Sequence, residues 1–200
     1  MRRRTAAPAA LALLAALTLG GCSDDAREPG ADHRGHGSSS ADAPADDAEA
    51  NEADVMFATM MIPHHEQAIE MSDLVLAKDA IDPEVRALAE EIEQAQAPEI
   101  EQLRGWLADW DAPTADASHG GGHGAGMMDE QDMAALEDAE GDRASRLFLE
   151  QMIEHHEGAI DMARSEVADG RHPDAVGLAG SIVATQLLEI ERMNDLLEQS

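Results

Sequence analysis

The sequence contains one Met- and His-rich pattern twice, and this internal repeat constrains the fold more than any other feature. Residues 57–71 read FATMMIPHHEQAIEM and residues 148–162 read FLEQMIEHHEGAIDM, at a constant offset of 91 residues. The match resumes at an offset of 90, where Pro83 corresponds to Pro173. Each copy therefore predicts a helix, a short turn that holds a proline, and a second helix. Two tandem helical hairpins predict an all-α protein, a four-helix bundle.

The spacing of apolar residues indicates helices in both copies. Phe57, Met61 and His64 begin a stripe with steps of four and three residues, and Ala68 and Met71 continue it. Residues at these steps lie on one face of a helix. No window of either copy alternates by twos, as a half-buried β-strand would.

The N-terminus is typical of an export signal. A basic Arg2–Arg4 segment precedes an apolar run over residues 6–19, which is too short to span a bilayer comfortably. The run ends in Leu-Gly-Gly before Cys22, the only cysteine of the chain. This arrangement resembles a bacterial lipobox, so we expect lipidation at Cys22; ordinary cleavage beside an incidental cysteine is the alternative. The predicted location is the cell envelope, with the membrane contacted through the lipid anchor alone.

Composition divides the rest of the chain into a tether and a folded part. The segment before the first repeat is rich in Asp, Ala, Ser, Gly and Pro and has no apolar period, which is typical of disorder. A glycine- and histidine-rich stretch separates the two repeats. The expected layout is a signal peptide over 1–21, a disordered acidic tether over 22–52, and a bundle over 53–199 made of repeat 1 (53–111), a Gly/His loop (112–129) and repeat 2 (130–199).

Charge restricts the partners. The chain has 42 acidic and 13 basic residues, a net charge of −29. Nucleic acid is an improbable partner, because phosphate contacts need clustered Lys and Arg. The electric field of such a negatively charged chain attracts cations, although a need for solubility alone also explains the charge.

The repeated pattern offers ligands for a metal ion. Residues three or four apart share a helix face, so each first helix brings imidazole and thioether groups together. Buried histidines with hydrogen-bond partners and methionines that only fill space are the alternative, yet four imidazoles are a costly way to fill a core. The predicted metal ligands are Met60, Met61, His64, His65, Met71, Met152, His155, His156 and Met162.

The ligand types favour copper. Thioethers select Cu(I), and imidazole binds copper in either oxidation state. Zinc prefers thiolate ligands besides imidazole and carboxylate, and no free thiolate remains once Cys22 is lipidated. A di-iron centre needs Glu-x-x-His motifs, but Met61 and Ile62 precede the first histidine pair at those positions. Copper, as Cu(I), Cu(II) or both, is therefore the expected ion.

Several neighbouring residues have open roles. Glu66 and Glu157 either orient the imidazoles or are solvated, and Pro63 either bends the first helix or starts a shorter one. A polar role facing the site is expected for Gln96, Gln186, Glu99 and Glu189. Accessory metal binding and a plain solvated linker are equally good interpretations of His33, His36, His119, His123, Met127 and Met128.

The assembled motifs resemble the bacterial family catalogued as domain of unknown function 305 (DUF305). Met-Ile-x-His-His-x-x-Ala-Ile-x-Met followed by Gln-x-x-Glu-Ile occurs twice, over 61–100 and 152–190. The resemblance implies a ferritin-like bundle and export. Some relatives are periplasmic copper-binding proteins of copper resistance, which implies a copper role for Met61, His64, His65, Met152, His155 and His156.

These observations predict an exported lipoprotein that binds copper for sequestration or tolerance. Two alternatives remain open: a ferritin-like metal oxidase, for which no di-metal carboxylate set is visible, and a helical interaction module without metal. No catalytic residue is assigned, and an enzyme is not expected. Metal ions are the expected partners, and the oligomeric state is left open.

Overall fold

The computed structural model describes residues 49–113 and 126–199 of the chain. Within these ranges the protein is helical throughout and has no strand. The all-α fold with four long helices predicted from the repeat is confirmed, and a short helix, α3, is added at the start of the second repeat. The helices are α1 (Glu52–Leu76), α2 (Pro83–Asp109), α3 (Glu130–Asp138), α4 (Gly141–Asp169) and α5 (Pro173–Gln199). The predicted signal peptide, Cys22, most of the tether and most of the Gly/His loop lie outside the described residues.

Local side-chain chemistry sets the helix starts. The Asn51 side chain accepts hydrogen bonds from the backbone of Ala53 and Asp54, and Asp54 accepts one from the Asn51 backbone, which completes a capping box. At α2 the Asp82 side chain accepts from the backbone of Glu84 and Val85, without a capping box, and Pro83 is at the first helical position. These contacts satisfy backbone N–H groups that a helix start would otherwise leave unpaired.

Proline does not interrupt the long helices. Pro63 lies inside α1 and Pro98 lies inside α2. Of the two alternatives for Pro63, the start of a shorter helix is wrong, because α1 runs unbroken from Glu52 to Leu76. The whole Met/His pattern of the first repeat therefore shares one helix.

The two hairpins pack through α1 and α4, which run antiparallel. The Asn51 side chain at the start of α1 donates to the Asp169 carbonyl at the end of α4. Phe57 of α1 packs near Ala159 of α4, and the equivalent Phe148 of α4 packs near Ala68 of α1. Because equivalent residues make reciprocal contacts, the hairpins are related by an approximate twofold axis between α1 and α4.

Helix α3 breaks this symmetry by covering one side of the α1–α4 interface. Leu136 of α3 and the preceding Met128 are buried in the same core cluster as Met71 and Phe148. Gln67 exchanges two hydrogen bonds with the Met128 backbone, at 2.7 and 2.9 Å. The C-terminal half of α1 and the N-terminal half of α4 are therefore shielded, whereas the opposite half of the interface has no such cover among the described residues.

None of the described helices combines the length and apolarity that a membrane span requires.

Candidate metal centre

The candidate site is centred on two histidines at equivalent positions of the repeats. His64 of α1 and His155 of α4 contact each other across the helix interface, with ring centroids 3.8 Å apart and ring planes tilted by 41°. Both side chains are buried, at 1% and 0% exposure. The approximate twofold axis passes near this pair, which places one imidazole of each repeat in a shared interior.

His155 is a buried polar group that the fold leaves unsatisfied. Neither of its ring nitrogens has a hydrogen-bond partner among the described residues. Burial lowers the pKa of His155 well below its ordinary value, and the neighbouring imidazoles of His64, His156 and His65 lower it further. The ring is therefore neutral at pH 7, with a lone pair on one nitrogen. Buried polar groups without partners are rare and costly, so this ring needs an explanation beyond packing.

The second histidine of each repeat is held by a carboxylate from the second helix of the same hairpin. His65 Nε2 lies 2.8 Å from Glu99 Oε2, and His156 Nε2 lies 2.6 Å from Glu189 Oε2. The Nδ1 atoms of both rings are buried and have no partner within the described residues. A carboxylate on one imidazole nitrogen fixes the ring and leaves the other nitrogen basic, which is the arrangement found behind many metal-bound histidines.

Tertiary contacts, rather than proximity in sequence, determine which polar residues contact the histidines. Glu66 is exposed and pairs with Arg104, and Glu157 is exposed, so both are solvated. Glu99 and Glu189 take the orienting role instead. The expected polar residues Gln96 and Gln186 are buried at equivalent positions of α2 and α5. Their side-chain oxygens have no hydrogen-bond donor in the part of the chain that is described.

The predicted methionine ligands separate into an interior group and a surface pair. Met61 and Met152 are fully buried and lie one turn before His64 and His155 on their helices. Met71 is also fully buried, in the same core cluster as Met152. The other two thioethers are at the surface: Met60 is 45% exposed, and Met162 lines a groove with it.

The described imidazoles and carboxylates do not form a pre-arranged metal site of three ligands. Across residues 49–113 and 126–199, no three His, Asp or Glu side chains converge as a metal site. Metal–imidazole distances of about 2.0 Å, with ligand directions about 90° or more apart, put two ring centroids roughly 4.5 Å or more apart. An ion shared by His64 and His155 would thus require the rings to separate from 3.8 Å.

The accessory residues lie elsewhere. His33, His36, His119 and His123 are outside the described residues, and Met128 is buried where Gln67 binds its backbone. His172, to which the sequence assigns no role, packs against two tryptophans. Its ring centroid lies 5.7 Å from that of Trp106 and 5.2 Å from that of Trp110.

Fold and site together define a class: helical-bundle proteins built from two hairpins, with an imidazole of each hairpin meeting in the core. The chain belongs to the family described as domain of unknown function (DUF305), whose profile matches residues 54–197. No curated protein matches the chain.

Solved structures with the same fold include other members of this family. A DUF305 fragment from Deinococcus radiodurans is 30% identical, with a TM-score of 0.69, over 76% of this chain and 99% of that one. A DUF305 protein from Streptomyces coelicolor, described as a candidate secreted protein, is 36% identical, with a TM-score of 0.66, over 74% of this chain and 93% of that one.

A third similar structure was determined with copper. CopM in its Cu(I)-bound form is 31% identical to this chain, with a TM-score of 0.63. The match covers 73% of this chain and 96% of CopM. CopM has also been solved with Cu(II) and with silver.

Proposed function

We propose that this protein is an exported copper-binding protein that sequesters copper in the cell envelope. The observation that carries the proposal is the contact between His64 and His155, in which a neutral, fully buried imidazole has no hydrogen-bond partner for either nitrogen within residues 49–113 and 126–199. A metal ion between the repeats would use a lone pair that the fold does not otherwise use.

The interior group supplies the ligands. His64 and His155 bind the ion with Met61 and Met152, one thioether and one imidazole from each repeat. His65 and His156, held by Glu99 and Glu189, and Met71 are the further candidate ligands. A mixed imidazole and thioether environment is suited to copper, and to Cu(I) in particular. The similarity to CopM, solved with Cu(I), Cu(II) and silver, supports this choice of ion.

Envelope location rests on the N-terminus. We infer that Cys22 is lipidated after removal of residues 1–21, which anchors the bundle by its acidic tether. Metabolic labelling with a radioactive fatty acid should mark the wild-type chain and not a Cys22→Ala variant. A wild-type chain that is exported but carries no label contradicts the anchor and leaves the copper site untouched.

A competition titration tests the copper site directly. The full chain should withdraw Cu(I) from a chromogenic chelator under anaerobic conditions, and a His64→Leu/His155→Leu variant should withdraw at least one equivalent less. A His172→Gln variant is the matched control, because this histidine packs against tryptophans away from the ring pair. Equal uptake by the double variant and the wild type, or a melting temperature that copper leaves unchanged, would favour the interaction module without metal.

A further inference from the structure

The uncovered half of the α1–α4 interface forms a groove lined by three methionines. Met56 and Met60 of α1 and Met162 of α4 border a cavity of about 500 Å³. Met56 is 61% exposed and Met60 is 45% exposed, which makes them two of the few large apolar side chains at the described surface. Both also border an adjoining groove of about 660 Å³ on the other side of α1. The two thioethers therefore form a ridge that solvent reaches from both sides.

The groove is distinct from the histidine cluster. No histidine lines it, and His64 and His155 are buried in the interior. Its remaining lining is largely acidic or small and includes Glu52, Glu166 and Asp169. Thioethers beside the exposed carboxylates of Glu52 and Asp169 combine a soft donor set with a field that attracts cations.

The second repeat shows that this methionine set is not a by-product of duplication. The positions equivalent to Met56 and Met60 are Leu147 and Gln151. Helix α3 covers that side, where the Gln151 side chain donates to the Asp132 carbonyl at 2.9 Å and Leu147 packs against the core. The thioether equivalent to Met162 is Met71, which is fully buried there. The two methionines that are exposed, Met56 and Met60, thus lie where the interface is uncovered.

The sequence directly before α1 is poor in large apolar residues. The approximate twofold symmetry makes the segment before α1 equivalent to α3 and the residues that connect α3 to α4. Residues 23–48 contain no Val, Leu, Ile, Met, Phe or Trp. Such a sequence cannot replace Leu136 and Met128, which fill the equivalent place in the covered half.

We propose that Met56, Met60 and Met162 form a second site, which binds one soft monovalent cation, Cu(I) or Ag(I), at the surface. The site does not rest on the function proposed for the histidine cluster. Because two of its three methionines are exposed, it exchanges ions with solvent more readily than the buried rings do, and it receives the cation first when both sites are empty.

Silver titration of the full chain tests the site. Native mass spectrometry in chloride-free buffer should show one Ag(I) fewer bound to a Met56→Leu/Met60→Leu/Met162→Leu variant than to the wild type. Leucine keeps the volume and apolarity of methionine, so folding should be preserved. In protein labelled with ¹³C at the methionine methyl groups, the signals that these substitutions remove should be the first to shift on adding Ag(I).

Two further variants make the result decisive. Met133→Leu, which alters a methionine of α3 outside the groove, should bind as much Ag(I) as the wild type. The His64→Leu/His155→Leu variant should still show the early shift of the groove signals, which separates this site from the histidine cluster. Unchanged Ag(I) stoichiometry in the triple variant overturns the proposal, as does a change in oligomeric state without loss of Ag(I), which would assign the groove to contact with a second copy.

Discussion

His64 and His155 are 91 positions apart in sequence, yet their rings contact each other on the approximate twofold axis between the repeats. Each copy of the motif contributes the same residue to one contact, so neither repeat forms the site alone. The second histidines, His65 and His156, point instead to their own hairpins, where Glu99 and Glu189 hold them. The adjacent histidines of each motif therefore have different partners.

Replacing His155 should separate metal binding from folding. A His155→Leu variant without metal is expected to be as stable as the wild type, or more stable by about 1–2 kcal/mol, because it removes a buried polar group without partners. The rise in melting temperature caused by copper should be lost. Urea unfolding without metal and thermal unfolding with copper measure the two effects.

His156 provides the contrasting variant. His156→Leu breaks the hydrogen bond with Glu189 and should cost about 1–3 kcal/mol. Destabilisation of His155→Leu by a similar amount would show that the His155 ring is a structural core residue and would count against its role as a ligand.

The carboxylates behind the outer histidines should tune copper affinity. A Glu99→Gln/Glu189→Gln variant keeps a hydrogen-bond acceptor but loses the negative charge beside each imidazole. We expect a decrease in copper affinity of about 10–100-fold. Chelator competition measures the affinity, and imidazole ¹⁵N shifts report whether the tautomer of His65 has changed.

The Glu-Ile-Glu segments at residues 99–101 and 189–191 supply the control for the Glu99→Gln/Glu189→Gln variant. Glu101 and Glu191 are the exposed members of the same two segments, so Glu101→Gln/Glu191→Gln removes the same charge from the same helices. An equal loss of affinity in this control would assign the effect to net charge rather than to the imidazole contacts.

A buried pair of carboxyl groups should make stability depend on pH. Burial and the adjacent Asp54 carboxylate raise the pKa of Glu166 to about 8. Burial alone would raise the pKa of Asp54, but hydrogen bonds from the Asn51 backbone, the Glu166 carboxyl and the backbones of His172 and Arg171 hold it below its ordinary value. Glu166 is thus protonated in the folded protein at neutral pH, beside the ionised Asp54.

The sign of this effect follows from proton binding. Between about pH 4.5 and pH 8 the folded state keeps the Glu166 proton that the unfolded state has released, so stability falls as pH rises through this window, by up to about 1.4 kcal/mol per pH unit from this group. A Glu166→Val variant, which installs the residue found at the equivalent Val75, should flatten the profile obtained from urea unfolding. Glu157→Gln, an exposed position on α4, should leave the slope unchanged. An unaltered slope in Glu166→Val would show that Glu166 is ionised in the fold.

Two glycine substitutions should have opposite effects. A Cβ at Gly170 would lie 2.3 Å from Glu166 Oε1 and 2.7 Å from the Glu166 carbonyl oxygen, so Gly170→Ala should destabilise by about 1–3 kcal/mol. Gly177 in α5 has no atom within 4 Å of the equivalent point, so Gly177→Ala should stabilise by about 0.5–1 kcal/mol. Thermal unfolding distinguishes the two, and a neutral Gly170→Ala would show that the turn after α4 adjusts at little cost.

The sequence predicts the fold well because its information is local and repeated. Steps of three and four residues identify the buried face of α1 without knowledge of its neighbours, and the turn prolines locate the second helices. Helix α3 is not predicted, because one short helix leaves little periodic signal beside a glycine-rich loop. Whether Pro63 lies inside a helix or starts one depends on whether the stability of the surrounding helix exceeds the cost of one missing hydrogen bond. The local sequence pattern does not reveal this balance.

Site residues are harder to predict, because a wide apolar face does not specify which partner helix each side chain meets. Met60 and Met61 are neighbours in sequence, but Met61 is buried and Met60 borders the surface groove with Met162. Met56 joins them only through the packing of α4. Sequence proximity favours Glu66 as the partner of His65, whereas the contact comes from Glu99 on the next helix.

The axial position of the His64–His155 contact has a consequence for how such a protein can arise. A lone hairpin that paired with an identical copy about the same axis would bring two copies of a single histidine together in the same way. The contact therefore needs no covalent connection between its halves and could precede fusion of the genes. What the fused chain gains is the freedom for its halves to differ, as Glu166 and Val75 already do.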